Sequence, residues 1–315
     1  MAREEIVVFG ATGAQGGGLV KAMLQDGNQA YGIRAVTRQP DGEKARTLRE
    51  LGVAVVQADL DDLASLERAM DGAWGAFCVT NFWEHFSPER EQAQANHLAV
   101  AAARARVGHV VWSTLEDTRD FLAADGKRMP VLNHAYNVPH FDAKGASDRF
   151  FLENDVPTTF LRTSFYWENF TSVGLGPARD RAGHLRLSLP LGSARLPGIA
   201  VDDIGACALA LLRDRAKWVG ATVGISGEQL TGEQLAAELA LARGEPVEYH
   251  DLTPDAFRGL GFPGADDLGN MFQFQAEFQE PFCGMRDPAR TRRLHPGLMT
   301  FRDWLSRHGQ RAGAR

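Results

Sequence analysis

The sequence has little of three features that would each place a protein in a special class. Its 315 residues include only three cysteines, Cys78, Cys207 and Cys283, which are far apart and lack the spacing of a metal site. No stretch approaches the run of about 18 apolar residues that a membrane helix needs. The formal net charge of −6 offers no basic patch for nucleic acid or an anionic membrane. We therefore expect a cytoplasmic protein without a metal that binds neither nucleic acid nor a membrane.

Short apolar runs alternate with helical patterns in the first half of the chain. Each run is apolar throughout, which is typical of strands buried on both faces of a parallel sheet. The predicted strands are 6–9, 33–36, 53–56, 76–79, 109–112 and 158–162. The predicted helices are 15–25, 43–51, 63–70, 88–106 and about 144–153.

This alternation predicts an α/β fold with a Rossmann-type, doubly wound parallel sheet. We expect residues 1–163 to form the main part of the nucleotide-binding domain. Residues 164–315, where the pattern is looser, should form a smaller C-terminal α+β lobe, with some segments returning to the first domain. Capping signals predict later helices, among them a capping box at Thr231 and Gln234.

A glycine-rich loop follows the first strand and opens the first helix. Gly10, Gly13 and Gly16 are spaced as G-x-x-G-x-x-G. In this position the first glycine permits the tight turn, the second lets the backbone approach a pyrophosphate, and the third lets helix and strand pack closely. The loop, which also contains Thr12, Ala14 and Gln15, therefore predicts dinucleotide binding.

The end of the second strand predicts which dinucleotide is bound. An NAD site usually carries an acidic residue there, which bonds the ribose 2′-hydroxyl. This sequence has Thr37 and Arg38 instead, and its next acidic residue, Asp41, lies beyond a proline. Because an arginine fork can grip a 2′-phosphate and a threonine hydroxyl can donate to it, NADP(H) is favoured over NAD(H).

Two further strand ends add candidate cofactor contacts. Asp59 and Leu60 follow the third strand, and Asp59 is placed to touch the adenine. Asp61 or Asp62 caps the next helix. The loop after the fourth strand should pass the nicotinamide-side phosphate and ribose, and it contains Thr80, Asn81 and Phe82.

The segment HFDAK places a histidine where many reductases have a tyrosine. His140 precedes Lys144 by the spacing of the Tyr-x-x-x-Lys pair of short-chain dehydrogenases. Lys144 can bond ribose hydroxyls whether or not chemistry follows. Histidine can donate a proton near neutral pH, so His140 either replaces the phenol or marks a site that no longer turns its cofactor over. Tyr136 would replace the phenol only if the helix began early, and Pro139 argues against that.

Two hydroxyl residues, Ser113 and Thr114, end the fifth strand. They occupy the place where a hydroxyl would polarise a substrate carbonyl. A hydroxyl that bonds local backbone at a strand end explains them equally well.

With the segments GATGAQGG, RAVTRQP, VVWSTLED, HFDAKG and FLRTSFYWENF in this order, the chain resembles the NmrA-like family, atypical relatives of the short-chain dehydrogenases. The resemblance runs from Ile6 to about Asp203 and more loosely beyond. It implies a Rossmann domain, a preference for NADP(H) and, often, the loss of the catalytic tyrosine. Members of this family act as nitrogen-metabolite or redox regulators through protein partners, and close relatives reduce quinones or similar acceptors.

Carried onto this sequence, the resemblance implies cofactor contacts at Gly10, Thr12, Gly13, Gln15, Gly16, Arg38, Asp59, Thr80 and Lys144. It also implies a pocket over the nicotinamide formed by the segment that contains Tyr166 and Asn169.

Two functions follow as hypotheses. The first is an NADP(H)-binding redox sensor or regulator with weak or no turnover, which would act through a protein partner. The second is an NADPH-dependent reductase of quinones or other small conjugated carbonyls. The protein should be a monomer or a homodimer. The Phe- and Gln-rich segment 271–282 is a pocket lid, an interface or packed core, with core or interface preferred.

Overall fold

The computed structural model describes residues 3–28, 30–125 and 129–308. Its described residues divide into two compact units. The first unit draws on Met1–Asp117, His140–Arg162 and Ile204–Val223, and the second on Thr118–Pro139, Thr163–Asp203 and Gly224–Arg315. The chain therefore passes between the units several times.

The elements are numbered in chain order. The strands are β1 (Glu4–Val8), β2 (Tyr31–Thr37), β3 (Ala54–Gln57), β4 (Gly75–Cys78), β5 (His109–Thr114), β6 (Thr158–Arg162), β7 (Phe165–Tyr166), β8 (Ala178–Arg179), β9 (Leu185–Leu189), β10 (Leu196–Ile199), β11 (Thr222–Gly224), β12 (Glu228–Leu230) and β13 (Val247–Asp251). The helices are α1 (Ala14–Gln25), α2 (Glu43–Glu50), α3 (Leu63–Met70), α4 (Pro88–Arg104), α5 (Thr118–Asp125), α6 (Pro139–Glu153), α7 (Asn169–Ser172), α8 (Val201–Arg213), α9 (Arg215–Trp218), α10 (Gly232–Arg243), α11 (Pro254–Arg258), α12 (Ala265–Glu277), α13 (Gln279–Met285), α14 (Pro288–Leu294) and α15 (Phe301–His308). A short 3-10 helix, Phe82–Glu84, follows β4.

A sheet of seven described strands forms the centre of the first unit, in the order β11-β6-β5-β4-β1-β2-β3. β1 pairs in parallel with both β2 and β4, and the pairs β2–β3, β4–β5 and β5–β6 are also parallel. Because the connections run outward in opposite directions from β1 and β4, the carboxyl ends of these strands flank the crevice where such folds bind ligands. The predicted Rossmann-type parallel sheet is confirmed.

The apolar runs of the sequence form the core of this sheet. Val7 and Ala76 lie in neighbouring strands and are fully buried. Leu66 of α3 and Leu98 of α4 are also fully buried in the same cluster, together with Trp112 of β5. Burial on both faces explains why these strands lack the alternation of polar and apolar residues seen at a sheet surface.

Capping side chains begin several helices where the sequence predicts them. The hydroxyl of Ser87 accepts a hydrogen bond from the Arg90 amide at 3.2 Å, ahead of the proline that opens α4. At α10 both bonds of the capping box are present, from the Gln234 amide to Thr231 and from the Thr231 amide to Gln234. These bonds satisfy backbone donors that have no partner within the helix.

The second unit contains two small sheets and a core rich in aromatic rings. Its described strands form the orders β12-β10-β7 and β13-β9-β8. The ring of Trp167 lies 5.4 Å from that of Phe301, and Phe301 stacks on Trp304 at 5.9 Å. In the Phe- and Gln-rich segment the apolar side chains are buried, which makes it packed core of this unit: Met271, Phe272, Phe274, Phe278 and Phe282.

The start of α6 differs from the prediction. The sequence pattern places the start near residue 144, whereas the helix begins at Pro139. A proline at the first helical position loses nothing, because its missing N–H would have no partner within the helix. His140 and Lys144 therefore both lie in α6, one helical turn apart. Tyr136 lies outside the helix, in a bridge with Leu132.

None of the described helices combines the length and the apolarity that crossing a membrane requires.

Candidate functional site

The glycine loop forms a tight turn at the carboxyl end of β1. Gly10 has a φ of +65°, in the left-handed region that favours glycine. A Cβ at Gly16 would lie 2.5 Å from the carbonyl oxygens of Phe9 and Gly10, so any side chain there would push α1 away from the sheet. Both positions thus require glycine for the reasons that a dinucleotide loop requires it.

The amino end of α1 is suited to an anion. Its N-cap residue, Gly13, provides no side-chain cap, and the first turn contains no acidic residue. Gly13 and Ala14 are exposed and Thr12 is partly exposed, whereas Gln15 is buried. Uncapped amides and the helix dipole favour negative charge at such an end. The cradle therefore fits the pyrophosphate of a dinucleotide.

Thr37 is the last residue of β2 and Arg38 directly follows it, and Arg38 has a partner that the sequence did not indicate. Its Nη2 lies 2.9 Å and 2.8 Å from the two carboxylate oxygens of Glu84, in the 3-10 helix. The hydroxyl of Thr37 accepts a hydrogen bond from the Gln39 amide at 3.2 Å. A second cation, Lys44, donates from Nζ to the carbonyl oxygen of Thr12 in the glycine loop at 2.9 Å.

The segment after β3 serves mainly to hold α3 and α4. Asp59 accepts a hydrogen bond from the amide of Asp61 at 3.0 Å, and the Leu60 carbonyl lies 2.8 Å from a ring nitrogen of His97. Asp62 caps α3, whereas Asp61 pairs with Arg90 at 2.5 Å. The adenine contact of Asp59 remains a prediction.

Lys144 is the centre of a buried polar cluster. Its ammonium donates to the hydroxyl of Thr80 at 2.7 Å and to the Thr80 carbonyl at 3.0 Å. It also lies 2.6 Å from Oε1 of Glu91, which in turn accepts a hydrogen bond from the Thr80 hydroxyl at 2.5 Å. Lys144 is 8% exposed, Thr80 5% and Glu91 0%. The three N–H donors of the ammonium thus match these three oxygens.

Glu91 carries the negative charge of this cluster. Burial alone would raise its pKa, but the charge of Lys144 and the hydrogen bonds from His85, Lys144 and Thr80 outweigh burial and lower the pKa to about 2. His85 Nδ1 accepts from the amide of Ser87 at 3.1 Å, which places the ring proton on Nε2, 3.3 Å from Oε2 of Glu91. Glu91 is therefore ionised at neutral pH and forms a compact ion pair with Lys144.

His140 lies among aromatic rings. Its ring centroid is 4.8 Å from that of Trp83 and 6.0 Å from that of Phe82. His140 is 6% exposed, whereas the neighbouring Trp83 is 40% and Phe86 41% exposed. Phe86 also has a φ of +54°, which is strained for a residue with a bulky side chain. The histidine thus lies beneath an exposed aromatic surface formed by Trp83 and Phe86.

Ser113 and Thr114 are both buried at the end of β5. The hydroxyl of Thr114 donates to Asp148 at 2.6 Å, and Asp148 also accepts from the Trp112 indole at 2.9 Å. Burial raises the pKa of Asp148 to about 7 despite these two bonds. In this structure Thr114 thus connects β5 to α6, and a role for either hydroxyl in polarising a carbonyl remains a prediction.

The remaining candidates lie in different parts of the chain. Asn81 is exposed ahead of the 3-10 helix, in the first unit. Tyr166 ends β7 and Asn169 begins α7, both in the second unit and both partly exposed. Between them, the Glu168 carboxylate accepts from the Trp304 indole at 2.9 Å, and burial raises its pKa.

Three residues that sequence reasoning missed are Lys44, Glu84 and Glu91. Glu91 could have been found, because Gln94, Ala95 and Leu98 follow it at helical spacing and predict a buried face. Nothing in the sequence indicates that Glu84 meets Arg38, since the contact joins two distant strand ends.

Comparison with known proteins extends along nearly the whole chain. The family model described as "NmrA-like family" matches residues 2–305. The "NmrA-like family domain-containing oxidoreductase lnbB" of Aspergillus flavus is 28% identical over 294 residues, which cover 87% of this chain and 84% of that protein. The "NmrA-like family domain-containing oxidoreductase notA" of an Aspergillus species is 33% identical over 295 residues, which cover 86% and 83%.

Solved structures share the fold. NmrA, a negative transcriptional regulator in complex with NADP, aligns with a TM-score of 0.79 at 21% identity, covering 100% of this chain and 99% of that one. The NADPH-dependent quinone oxidoreductase QOR2 of Escherichia coli, complexed with NADPH, aligns with a TM-score of 0.74 at 22% identity, covering 96% and 99%.

Proposed function

This chain belongs to the NmrA-like family, and we propose that it is an NADP(H)-dependent oxidoreductase that reduces a planar, conjugated acceptor such as a quinone. The glycine loop, the uncapped α1 and Arg38 support the cofactor assignment. Structures of the same fold have been solved in complex with NADP and with NADPH. The cofactor, when bound, supplies the hydride.

The observation that carries this proposal is the packing of His140 against the tilted ring of Trp83. The tyrosine position of the catalytic pair is filled by a ring that is 6% exposed and 4.8 Å from an indole that is 40% exposed. The exposed indole and the Phe86 ring, which meet edge to face, offer an apolar aromatic surface where a reductase with a phenol would offer a proton donor. Flat, conjugated molecules stack well on such rings.

The cluster around Lys144 is consistent with a hydride transfer that needs no proton-donating side chain. The ammonium is held by Thr80 and Glu91, which neutralises its charge and fixes its position. A quinone accepts the hydride, a hydrogen with its electron pair, and becomes the hydroquinone monoanion, which takes one proton from water. The loss of the phenol therefore costs such a reaction less than it costs the reduction of a simple ketone, where a general acid contributes about 10²–10⁴-fold.

Oxidation of NADPH by purified protein, with quinones and simple aldehydes as acceptors, tests this function. We expect turnover with quinones and little with aldehydes. A Trp83→Leu variant should raise the KM for the quinone about two- to tenfold, since an aromatic contact contributes about 0.5–1.5 kcal/mol. Trp218→Leu is the matched control, because the Trp218 ring lies in α9 beneath the ammonium of Lys217, at 4.4 Å, and is not part of the aromatic surface of Trp83 and Phe86. Equal turnover of both acceptor classes would contradict the proposal.

A second candidate function is a redox or cofactor sensor, which one contact favours. The ion pair of Arg38 with Glu84 connects the residue proposed to select the cofactor with the exposed aromatic segment. A sensor that acts through this contact should show different hydrogen exchange of the amides from Phe82 to Phe86 with NADP⁺ and with NAD⁺, because only NADP⁺ carries the 2′-phosphate. Identical exchange in both states would leave the reductase as the supported function.

A further inference from the structure

The guanidinium of Arg38 is engaged by a carboxylate from a distant part of the first unit. Both oxygens of Glu84 lie within 2.9 Å of Arg38 Nη2. Because Arg38 follows β2 and Glu84 ends the 3-10 helix after β4, the folded sheet, and not local chain geometry, brings them together. The side chains are 54% and 46% exposed, so an anion from solution can reach the pair.

A carboxylate and a phosphate present the same feature to an arginine, a set of anionic oxygens spaced to accept its parallel N–H groups. We propose that Glu84 is an internal competitor for the 2′-phosphate of NADP(H) and thereby sets how strongly the site selects the phosphorylated cofactor. This inference rests on the NADP(H) site of the proposed function and not on turnover. A cofactor with a 2′-hydroxyl brings no anion to Arg38 and leaves the ion pair in place.

The charges favour displacement of Glu84 by a phosphate. A phosphate monoester carries about −1.5 to −2 at neutral pH, against −1 for the carboxylate. The exposed pair is weak, equivalent to at most about a fivefold change in an equilibrium constant. Lys44 adds a second cation at the glycine loop, where its Nζ bonds the Thr12 carbonyl at 2.9 Å. Glu84 therefore lowers the affinity for the phosphorylated cofactor without blocking its binding.

Displacement of Glu84 from Arg38 should also change the aromatic surface formed by Trp83 and Phe86. Glu84 directly follows Trp83, whose ring lies against His140. Phe86, two residues after Glu84, has a strained backbone, and such strain is common at ligand clamps and switch regions. Occupation of Arg38 by a phosphate should thus change the surroundings of Trp83, whereas a cofactor without the phosphate should not.

Binding constants for NADP⁺ and NAD⁺, measured by calorimetry, test the competition. In Glu84→Gln the dissociation constant for NADP⁺ should fall about two- to fivefold, while that for NAD⁺ stays the same. Glu89→Gln is the matched control, since it removes the same charge from an exposed residue that bonds Ser87 and not Arg38. In an Arg38→Ala background, Glu84→Gln should have no effect. Equal tightening for both cofactors, tightening that persists without Arg38, or no change would each overturn the proposal.

The fluorescence of Trp83 gives an independent readout. Subtracting the emission of Trp83→Phe from that of the unmodified protein isolates the emission of Trp83. This emission should change more on saturation with NADP⁺ than on saturation with NAD⁺. The same response to both would count against the competition. If the protein shows the predicted selectivity but reduces no acceptor, the competition between Glu84 and the 2′-phosphate is supported and the proposed reductase function is contradicted. If the protein reduces quinones but its cofactor selectivity is unchanged in Glu84→Gln, the reductase function is supported and the competition is contradicted.

Discussion

Replacing Glu91 with glutamine removes the negative charge that faces Lys144 in the interior of the first unit. The glutamine has nearly the same shape, so its oxygen can still accept from Lys144 and Thr80. The ammonium, which is on a residue 8% exposed, then lacks its counter-charge. The new amide group also faces the Nε2–H of His85, donor against donor. We expect folding to be destabilised through an uncompensated buried charge and not through a cavity.

Two independent arguments give a similar magnitude for the loss of folding stability in Glu91→Gln. Removal of one partner of a buried ion pair typically costs about 3–5 kcal/mol. The fall in the pKa of Glu91 from 4.5 to about 2 corresponds to about 3 kcal/mol of stabilisation of the ionised form. Because the carboxylate is fully buried, solvent screening does not reduce this figure. The Glu91→Gln variant should therefore lose about 3 kcal/mol of unfolding free energy at pH 7.

The effect has a defined pH dependence. Glu91 has a lower pKa in the folded state than in the unfolded state, so its stabilisation is complete above about pH 4.5 and is lost as the pH falls toward about 2. The unmodified protein loses this contribution on acidification, and the glutamine variant has none to lose. The difference in unfolding free energy between the two proteins should therefore shrink from pH 7 to pH 3.

Urea unfolding followed by tryptophan fluorescence and circular dichroism measures this difference. Glu67→Gln is the matched control, because Glu67 forms an exposed ion pair with Arg104 that should contribute about 1 kcal/mol or less. In the double variant Glu91→Gln/Lys144→Gln, much of the lost stability should return, since no unpaired charge remains. A cost for Glu91→Gln no greater than that of Glu67→Gln, or a difference that grows on acidification, would refute the reasoning.

Three further predictions concern single side chains of the first unit. Because burial raises the pKa of Asp148 from 3.8 to about 7, folding loses stability as the pH rises through this window. Asp148→Asn should remove that loss, on the order of 4 kcal/mol, and equal urea midpoints for both proteins at pH 8 would contradict this. His140→Phe keeps an aromatic ring against Trp83 and should leave both NADPH binding and quinone turnover nearly unchanged, whereas a fall in kcat of about 10²-fold or more would make the histidine the proton donor. Arg38→Ala should weaken binding of NADPH about 10- to 100-fold and leave NADH binding unchanged, and retained selectivity in the two titrations would remove Arg38 from the site.

The parallel sheet was predictable because its signals are local. The buried stretches of these strands, such as residues 6–8 around Val7 and residues 76–78 around Ala76, are apolar at every position, and the glycine loop has a fixed spacing. Boundaries were less predictable. The start of α6 was misplaced because a proline both breaks helix interiors and begins helices, and only packing decides which applies to Pro139.

Contacts between distant side chains explain what the sequence left open at the candidate site. The spacing of His140 and Lys144 indicated a catalytic pair, but not that Glu91 neutralises the lysine or that Trp83 covers the histidine. Those contacts depend on how α4 and the 3-10 helix pack against α6, which is a property of the whole sheet. Segment 271–282 was ambiguous for the same reason until burial of its phenylalanines showed it to be core.

The most direct test of the proposed function is the rate of NADPH oxidation by purified protein with a quinone, compared with the rate with a simple aldehyde. The aromatic surface over His140 predicts quinone-dependent oxidation well above background and little with the aldehyde. Absence of turnover with any quinone, in a sample whose tight NADPH binding is confirmed, would contradict the reductase and leave a cofactor-binding regulator.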